Sequence, residues 1–182
     1  MDTVRFGVIG LGNMGSVHCS YLDTIENAKL AGICDIDPQR LAAIGAKYAV
    51  PRFQDYREFL GSGLIDAVIV ATPHYFHPEM TIAAFERGLH VLCEKPVAVT
   101  VNEARRMNCA AADHPKSKFG IMFQLRTNPV QKKVRDLIQC GELGEISRIT
   151  WTATSWFRSC SYYASGGWRA TWAGEGGASG GV

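Results

Sequence analysis

The stretch Val4–Gly15, with the sequence VRFGVIGLGNMG, decides the fold class. It begins with an apolar run typical of a β-strand and ends in the glycine pattern GxGxxG. Gly10 permits a tight turn, Gly12 lets backbone amides approach a diphosphate, and Gly15 lets the next helix pack close to the strand. Apolar residues then recur at helical spacing, and the start of such a helix attracts anions. The stretch predicts a dinucleotide-binding turn, with further contacts from Asn13 and Met14.

A second strand, over residues 29–35, ends in an acidic residue twenty positions after Gly15. Asp35 is placed to accept hydrogen bonds from the ribose hydroxyls of an adenosine. The alternative role, capping the next helix, is already filled by Asp37. A carboxylate at this position repels the 2′-phosphate of NADP, so the sequence predicts NAD, with NADP the less favoured cofactor. Arg40, inside the helix, is expected to face solvent.

Strands and helices alternate through the first two thirds of the chain. This order predicts right-handed βαβ units and a Rossmann-type, doubly wound parallel sheet of the α/β class. We assign residues 1–124 to this NAD(P)-binding domain. Besides the first two strands, the predicted elements are a short extended piece near residues 52–53, strands at 64–71, 90–93 and 119–123, and helices at 38–48, 55–60, 77–88 and 100–111.

The composition changes after this domain, and we assign residues 125–182 to the incomplete start of an α+β substrate and oligomerisation domain. An amphipathic helix begins at Asn128 and is predicted to stop at Gly141. Residues 149–157 alternate between apolar and polar side chains, which predicts a strand with one wetted face. A glycine-rich tail over 174–182 is expected to be flexible.

Charge and cysteine usage exclude several function classes. The chain has 19 basic and 17 acidic residues, a formal net charge of +2, which offers no electrostatic case for binding nucleic acid or an anionic membrane. No apolar run is long enough for a transmembrane helix, and the first residues do not resemble a signal peptide. The six cysteines show no zinc-like spacing, so we interpret them as reduced core thiols of a cytoplasmic protein.

Two further strand ends carry polar residues where an open parallel sheet binds its ligand. ATPHYFH follows the buried strand as residues 71–77, and CEKP follows the next strand as residues 93–96. With the glycine turn, these motifs make the chain resemble the N-terminal half of the Gfo/Idh/MocA family of NAD(P)-dependent oxidoreductases, which act mostly on sugars, cyclitols and related polyols. The resemblance implies hydride transfer between nicotinamide and a carbinol carbon.

The resemblance also implies roles for the Glu-Lys-Pro motif. Lys95 falls on the lysine that lies against the reacting hydroxyl or carbonyl, takes part in proton transfer and contacts the cofactor. Glu94 matches the glutamate near the nicotinamide ribose, and Pro96 matches a proline that is often cis. The alternative for Lys95 is a surface lysine before a turn proline.

Further cofactor contacts are implied for the loop after the buried strand. Thr72 and Pro73 align with the loop over the cofactor. His77 fits a histidine at the start of the following helix, with an ordinary helix-start residue as the alternative. His74 is also placed among the cofactor contacts, although the family more often has asparagine there.

In the second domain the resemblance implies a wall for a small polyol or sugar substrate. Its candidate residues are Arg126, Tyr163, Trp168 and Arg169. For Tyr163, Trp168 and Arg169, packing within the protein is the alternative role. Aromatic faces and guanidinium groups suit polyol recognition. For Trp151 and Trp156 we expect sheet packing instead.

The resemblance also defines what the chain lacks. The related enzymes carry a later catalytic aspartate and histidine, and no histidine follows His114 here. Turnover is therefore left open, between a truncated, weakly active dehydrogenase and a non-catalytic NAD-binding module or fragment. A methyltransferase shares the glycine turn but gives no reason for the Glu-Lys-Pro motif. An unfinished sheet would expose an edge, so we expect a homo-oligomer.

Overall fold

A computed structural model gives the structure of the chain and describes residues 3–152, 154 and 157–175. These residues form two compact units, one of residues 3–122 with 170–175 and one of residues 123–169. The division lies close to the predicted boundary after residue 124, but residues 170–175 group with the first unit.

The first unit is built on a six-stranded sheet in which every neighbouring pair is parallel, in the order β3-β2-β1-β4-β5-β6. The strands are β1 Val4–Ile9, β2 Ala28–Cys34, β3 Arg52–Phe53, β4 Ala67–Val70, β5 His90–Cys93 and β6 Phe119–Ile121. The order reverses between β1 and β4, which is the switch point of a doubly wound sheet. The predicted fold class is confirmed.

The helices of the first unit connect these strands. They are α1 Asn13–Leu22, α2 Pro38–Tyr48, α3 Tyr56–Leu60, α4 His77–Glu86, α5 Val101–Asp113 and, from the last described residues, α8 Trp172–Glu175. A 3₁₀ turn over His74–Phe76 precedes α4. Side chains of Asp37, Asp55 and Thr100 cap α2, α3 and α5 by accepting backbone N–H groups.

Both faces of the sheet are buried, because successive strand residues point to opposite sides. On one face, residues such as Val68 and Val70 join Phe85 of α4 and Met107 of α5 in one apolar cluster. On the other face, strand residues join side chains of α1 and α2, among them Cys19, Leu22 and Leu41. This double coverage explains why β4 is apolar at every position.

Phe59 of α3 fits against the centre of the sheet because two strand positions lack a side chain. A Cβ atom added to Gly7 of β1 would lie 2.5 Å from the ring, and one added to Gly32 of β2 would lie 2.7 Å from it. The ring is fully buried and stacks on Phe53 with centroids 5.0 Å apart. These two glycines are therefore packing residues.

The second unit consists of a 3₁₀ turn over Gln124–Thr127, α6 Pro129–Gln139 and α7 Cys160–Ala164. The strand predicted over 149–157 is wrong for the described part, since residues 149–152 form no strand. An extended segment becomes a strand only by pairing, and no described segment pairs with this one. Trp151 is accordingly exposed and not packed in a sheet. Trp156 and residues 176–182 lie outside the described residues.

The cysteines divide into two groups, and all six are free. Cys19, Cys34 and Cys93 are buried, and burial raises the pKa of their thiols to about 11, 12 and 12. The core assignment is wrong for Cys109, Cys140 and Cys160. All three are exposed, because they lie on or beside helix faces that no described residue covers. Among residues 3–152, 154 and 157–175, no helix is both long enough and apolar enough to cross a membrane.

Candidate functional site

The glycine turn joins β1 to α1 at the carboxyl edge of the sheet. Gly10 has a φ of +89°, which favours glycine, and an added Cβ would lie 2.8 Å from the Ala71 backbone. A Cβ added to Gly15 would collide with the Gly10 carbonyl oxygen. At Gly12 an added Cβ would meet nothing within 4 Å. Gly10 and Gly15 are thus required by the fold, whereas Gly12 leaves an open space.

That open space lies at the amino end of α1, where Gly12 occupies the N-cap position. No side chain caps this helix among the described residues, and its first turn contains no acidic residue. The first backbone N–H groups of a helix have no partner within the helix. With Asn13 and Met14 as its first residues, the amino end of α1 is suited to an anionic ligand.

Asp35 follows β2 and lies beside the glycine turn. Its Oδ2 accepts the N–H of Leu11 at 2.6 Å and its Oδ1 accepts the N–H of Asp37 at 2.8 Å. The side chain is buried. Asp35 therefore fixes the turn as well as presenting a carboxylate there, a structural role that the sequence analysis did not assign.

Arg40 of α2 is exposed, as expected, but it also approaches both acidic residues. Its Nη1 lies 3.8 Å from Asp35 Oδ2 and its Nε lies 3.3 Å from Asp37 Oδ2. A cation therefore stands next to the carboxylate on which the predicted NAD preference depends.

The loop after β4 carries three of the predicted contacts. Gly10 packs on its backbone, because an added Cβ at Gly10 would lie 2.9 Å from the Thr72 nitrogen. The hydroxyl of Thr72 points to the sulfur of Met80 at 3.6 Å. Pro73 precedes the 3₁₀ turn in which His74 lies half-buried. Thr72 is thus brought beside the glycine turn, and Pro73 and His74 follow it directly in the chain.

Glu94 and Lys95 follow β5, the strand next to β4. Glu94 is buried, and its Oε1 lies 2.8 Å from Nε2 of His18 in α1. Its Oε2 accepts the N–H of Lys95 at 3.1 Å. The Lys95 side chain is exposed at the sheet edge, and the Lys95–Pro96 peptide bond is cis, as the resemblance implied.

His77 at the start of α4 is fully buried and joins two loops. Its Nδ1 lies 2.8 Å from the Pro96 carbonyl oxygen and its Nε2 lies 2.9 Å from the Thr72 carbonyl oxygen. Burial lowers the pKa of His77 below its ordinary 6.5, against the opposing effect of the two carbonyls and the Glu94 charge. Because both ring nitrogens face backbone carbonyl oxygens, His77 contacts the loops that follow β4 and β5.

The structure therefore brings the first-unit candidates together at the ends of four adjacent parallel strands. The glycine turn follows β1, Asp35 follows β2, Thr72 follows β4 and Glu94 follows β5. His18 is the residue at this edge that the sequence analysis missed. Its position, one helical turn after Gly15, places it on the sheet-facing side of α1, which was the available signal.

The second unit holds the candidate substrate residues. Arg169 donates from Nη1 to the Tyr162 hydroxyl at 3.0 Å, and its guanidinium lies 4.7 Å from the centre of the Trp168 ring. Tyr163 packs edge-on against Tyr162 with centroids 5.3 Å apart. Arg126 is placed differently, 4.9 Å over the ring of Phe123. Tyr162, which the sequence analysis did not select, is the centre of the aromatic cluster.

The strand order, the glycine turn and the acidic strand end define a dinucleotide-binding protein of the Rossmann class. The chain belongs to the Gfo/Idh/MocA family, because residues 4–121 match its profile, described as an oxidoreductase family with an NAD-binding Rossmann fold. The predicted family and its NAD-binding oxidoreductase character are confirmed.

Curated relatives include inositol 2-dehydrogenase of Salmonella typhimurium, 29% identical over 146 residues that cover 79% of this chain and 44% of the relative. Glucose-6-phosphate 3-dehydrogenase of Bacillus subtilis is 31% identical over 145 residues, with 80% and 41% covered. The chain thus spans less than half the length of these relatives.

Solved structures show the same similarity. Scyllo-inositol dehydrogenase from Lactobacillus casei, with bound NAD(H) and scyllo-inositol, has a TM-score of 0.77 at 28% identity, covering 80% of this chain and 44% of that one. The WlbA dehydrogenase from Bordetella pertussis, in complex with NADH and UDP-GlcNAcA, has a TM-score of 0.86 at 29% identity, covering 94% and 49%.

Proposed function

We propose that the protein is an NAD-dependent dehydrogenase that oxidises a secondary hydroxyl of a cyclitol or sugar to a ketone. The observation that carries this proposal is the convergence of the glycine turn, Asp35 and the Glu94–Lys95 pair at one sheet edge. The named relatives, which are inositol and sugar dehydrogenases, support the substrate class.

The residues present fit a dinucleotide. The uncapped amino end of α1 and the open space at Gly12 would receive the diphosphate through backbone N–H groups, from Asn13 and Met14 onward. Asp35 would hold the adenosine ribose, and Thr72, Pro73 and His74 would line the central part. Glu94 would lie near the nicotinamide ribose. When bound, NAD supplies a hydride acceptor at nicotinamide C4.

NAD is the proposed cofactor in preference to NADP. The buried Asp35 carboxylate would repel a 2′-phosphate, which supports NAD. Arg40 beside it would offset part of this repulsion. The proposal is therefore a preference whose size depends on the balance between these two side chains.

Lys95 is proposed as the catalytic residue. In the oxidation, the carbinol carbon loses a hydride, which carries both electrons, while its hydroxyl loses a proton to a separate acceptor. The exposed Lys95 amine would take that proton in its neutral form and return it in the reverse direction. The carbonyl product then accepts a hydrogen bond from the resulting ammonium group.

The second unit is proposed to supply the substrate wall and an interface between copies of this chain, as part of a substrate and oligomerisation domain over residues 125–182. Arg126, Tyr163, Trp168 and Arg169 offer the stacking and directed hydrogen bonds that hydroxyl-rich ligands need. The exposed apolar side of α6, from Val130 to Ile138, supports a homo-oligomer. Six free cysteines fit a cytoplasmic location.

The test combines binding with turnover. NADH affinity is measured by fluorescence titration, and NADH production is followed with a panel of cyclitols, neutral sugars and acidic sugars. We expect NADH binding and slow turnover that the Lys95→Ala variant abolishes while it still binds NADH. Binding without turnover on any substrate would indicate a non-catalytic NAD-binding module, and no binding would overturn the proposal.

A further inference from the structure

His18 is a buried histidine that the glycine turn and the proposed proton transfer leave unused. Its Nε2 lies 2.8 Å from Glu94 Oε1, and the two residues are 4% and 6% exposed. The second oxygen of Glu94 accepts the N–H of Lys95 at 3.1 Å. A continuous chain of contacts therefore runs from α1, through Glu94, to the backbone of Lys95, the proposed catalytic residue.

Burial makes this contact necessary for the carboxylate. A buried carboxylate without hydrogen-bond donors is strongly destabilised, and here His18 and Lys95 supply one donor to each oxygen. Burial raises the pKa of Glu94, but the hydrogen bond and charge of His18, with a smaller effect from Lys95, bring it below its ordinary 4.5. Glu94 is therefore ionised at neutral pH, with both of its oxygens fixed in direction.

We propose that His18 is a positioning residue, which orients Glu94 and through it the Lys95 backbone at the nicotinamide end of the cofactor site. This inference rests on the proposed function, because it requires a dinucleotide lying along the sheet edge. The Nε2 atom of His18 faces Glu94, so the proposed action of His18 on the ligand is indirect. His18 acts through Glu94 and Lys95, which directly follow β5. In the sheet, β5 is the second strand away from β1, which the glycine turn follows.

The location of the effect distinguishes positioning from simple stabilisation. The proposed diphosphate and adenosine contacts come from the glycine turn and Asp35, which do not depend on Glu94. The place of α1 on the sheet is also secured by the apolar side chains of Cys19 and Leu22. Loss of the His18 contact should therefore weaken ligands that reach the nicotinamide end and spare ligands that do not.

A matched pair of variants isolates the hydrogen bond. The amide nitrogen of Gln can reach the place of a histidine Nε2, whereas that of Asn falls near the place of Nδ1. His18→Gln therefore keeps a donor for Glu94, and His18→Asn removes it. Each variant of the full chain is titrated with NADH and with ADP, which lacks the nicotinamide and its ribose.

We expect His18→Asn to weaken NADH binding about tenfold while the Kd of ADP changes less than about threefold, since a hydrogen bond to a charged group is being lost. His18→Gln should restore the NADH affinity to within about threefold of the unmodified protein. Equal weakening of both ligands by His18→Asn, or no weakening of either, would overturn the inference.

If His18→Asn does not fold, His18→Leu replaces it in the same comparison, because it also removes the donor to Glu94, and the same selective loss of NADH affinity is expected. An unchanged NADH affinity in His18→Leu would then overturn the inference. Failure of the proposed function gives a different result, because the unmodified protein would bind neither NADH nor ADP.

Discussion

Gly12 and Gly15 belong to the same motif, but the structure assigns them different tasks. The space around an added Cβ at Gly12 is empty, whereas at Gly15 the Cβ would collide with the Gly10 carbonyl. We predict that Gly12→Ala folds with a free energy of unfolding within about 1 kcal/mol of the unmodified protein and binds NADH at least about tenfold more weakly. Urea unfolding and NADH titration check both parts.

Gly15→Ala serves as the contrast for that prediction. It should lose stability as well as binding, because the helix cannot keep its approach to β1. If Gly12→Ala binds NADH as tightly as the unmodified protein, the glycine turn is not the diphosphate site.

Asp35 carries the proposed cofactor preference. We predict that Asp35→Asn lowers the ratio of NAD to NADP affinity at least about tenfold, because the charge that repels a 2′-phosphate is removed. The Kd of each cofactor is measured by titration calorimetry.

Asp37→Asn provides the matched control for this variant. It removes a neighbouring carboxylate whose structural task is to cap α2, and Asn is an equally good cap. Its affinity ratio should stay within about threefold. A ratio that responds equally to both variants would show that general charge, and not Asp35, sets the preference.

At the scale of elements, His77 connects the loops that follow β4 and β5. The pKa of His77 is lower in the folded chain than in the unfolded chain. Below about pH 6.5, His77 therefore binds a proton more readily in the unfolded chain than in the folded one. The stabilising contribution is therefore complete above that pH and falls as the pH decreases toward the folded pKa. Glu94 and the nearby His74 ring are the titratable groups that face it.

We predict that the Tm falls between about pH 7.5 and about pH 5.5, and that the fall is smaller in His77→Gln. Thermal unfolding followed by circular dichroism at the two pH values measures the difference. The same fall in both proteins would assign the pH dependence to other groups.

The packing of α3 on the sheet depends on Phe59 together with two glycines. We predict that Phe59→Ala lowers the free energy of unfolding by about 3–5 kcal/mol, since a fully buried ring is removed. Gly7→Ala should also destabilise the protein, because its Cβ would meet the ring. Denaturant unfolding gives both values.

In the Phe59→Ala background, Gly7→Ala should cost less than it does alone, because the ring that it would strike is absent. A double-mutant cycle measures this coupling. Additive costs would show that Gly7 is required by backbone conformation and not by the ring.

At the scale of the whole molecule, ligand binding should stabilise the folded chain by mass action. At a concentration one hundred times its Kd, NADH is predicted to add about 2.7 kcal/mol to the free energy of unfolding, seen as a rise in Tm. Gly12→Ala under the same conditions should show a smaller rise. A stabilisation equal in both proteins would place the ligand away from the glycine turn.

The sequence predicted much of the first unit because strand–helix alternation and buried apolar strands are local signals. The GxGxxG turn, the end of β2 and the Glu-Lys-Pro motif could each be read from a few neighbouring residues. The contact of His18 with Glu94 and the packing of Phe59 on Gly7 and Gly32 could not, since these partners lie far apart along the chain. The predicted strand over 149–157 failed for a related reason, because pairing is a tertiary event.

The sequence by itself determined the alternation of strands and helices along the chain, the anion-binding turn and the carboxylate that follows β2. These follow from residue spacing, since backbone conformation and side-chain periodicity are local properties. Only the tertiary structure decided that both ring nitrogens of His77 face backbone carbonyls and that His18 meets Glu94. Those contacts join residues from different strands and helices, and they exist only where the folded sheet brings the ends of those elements together.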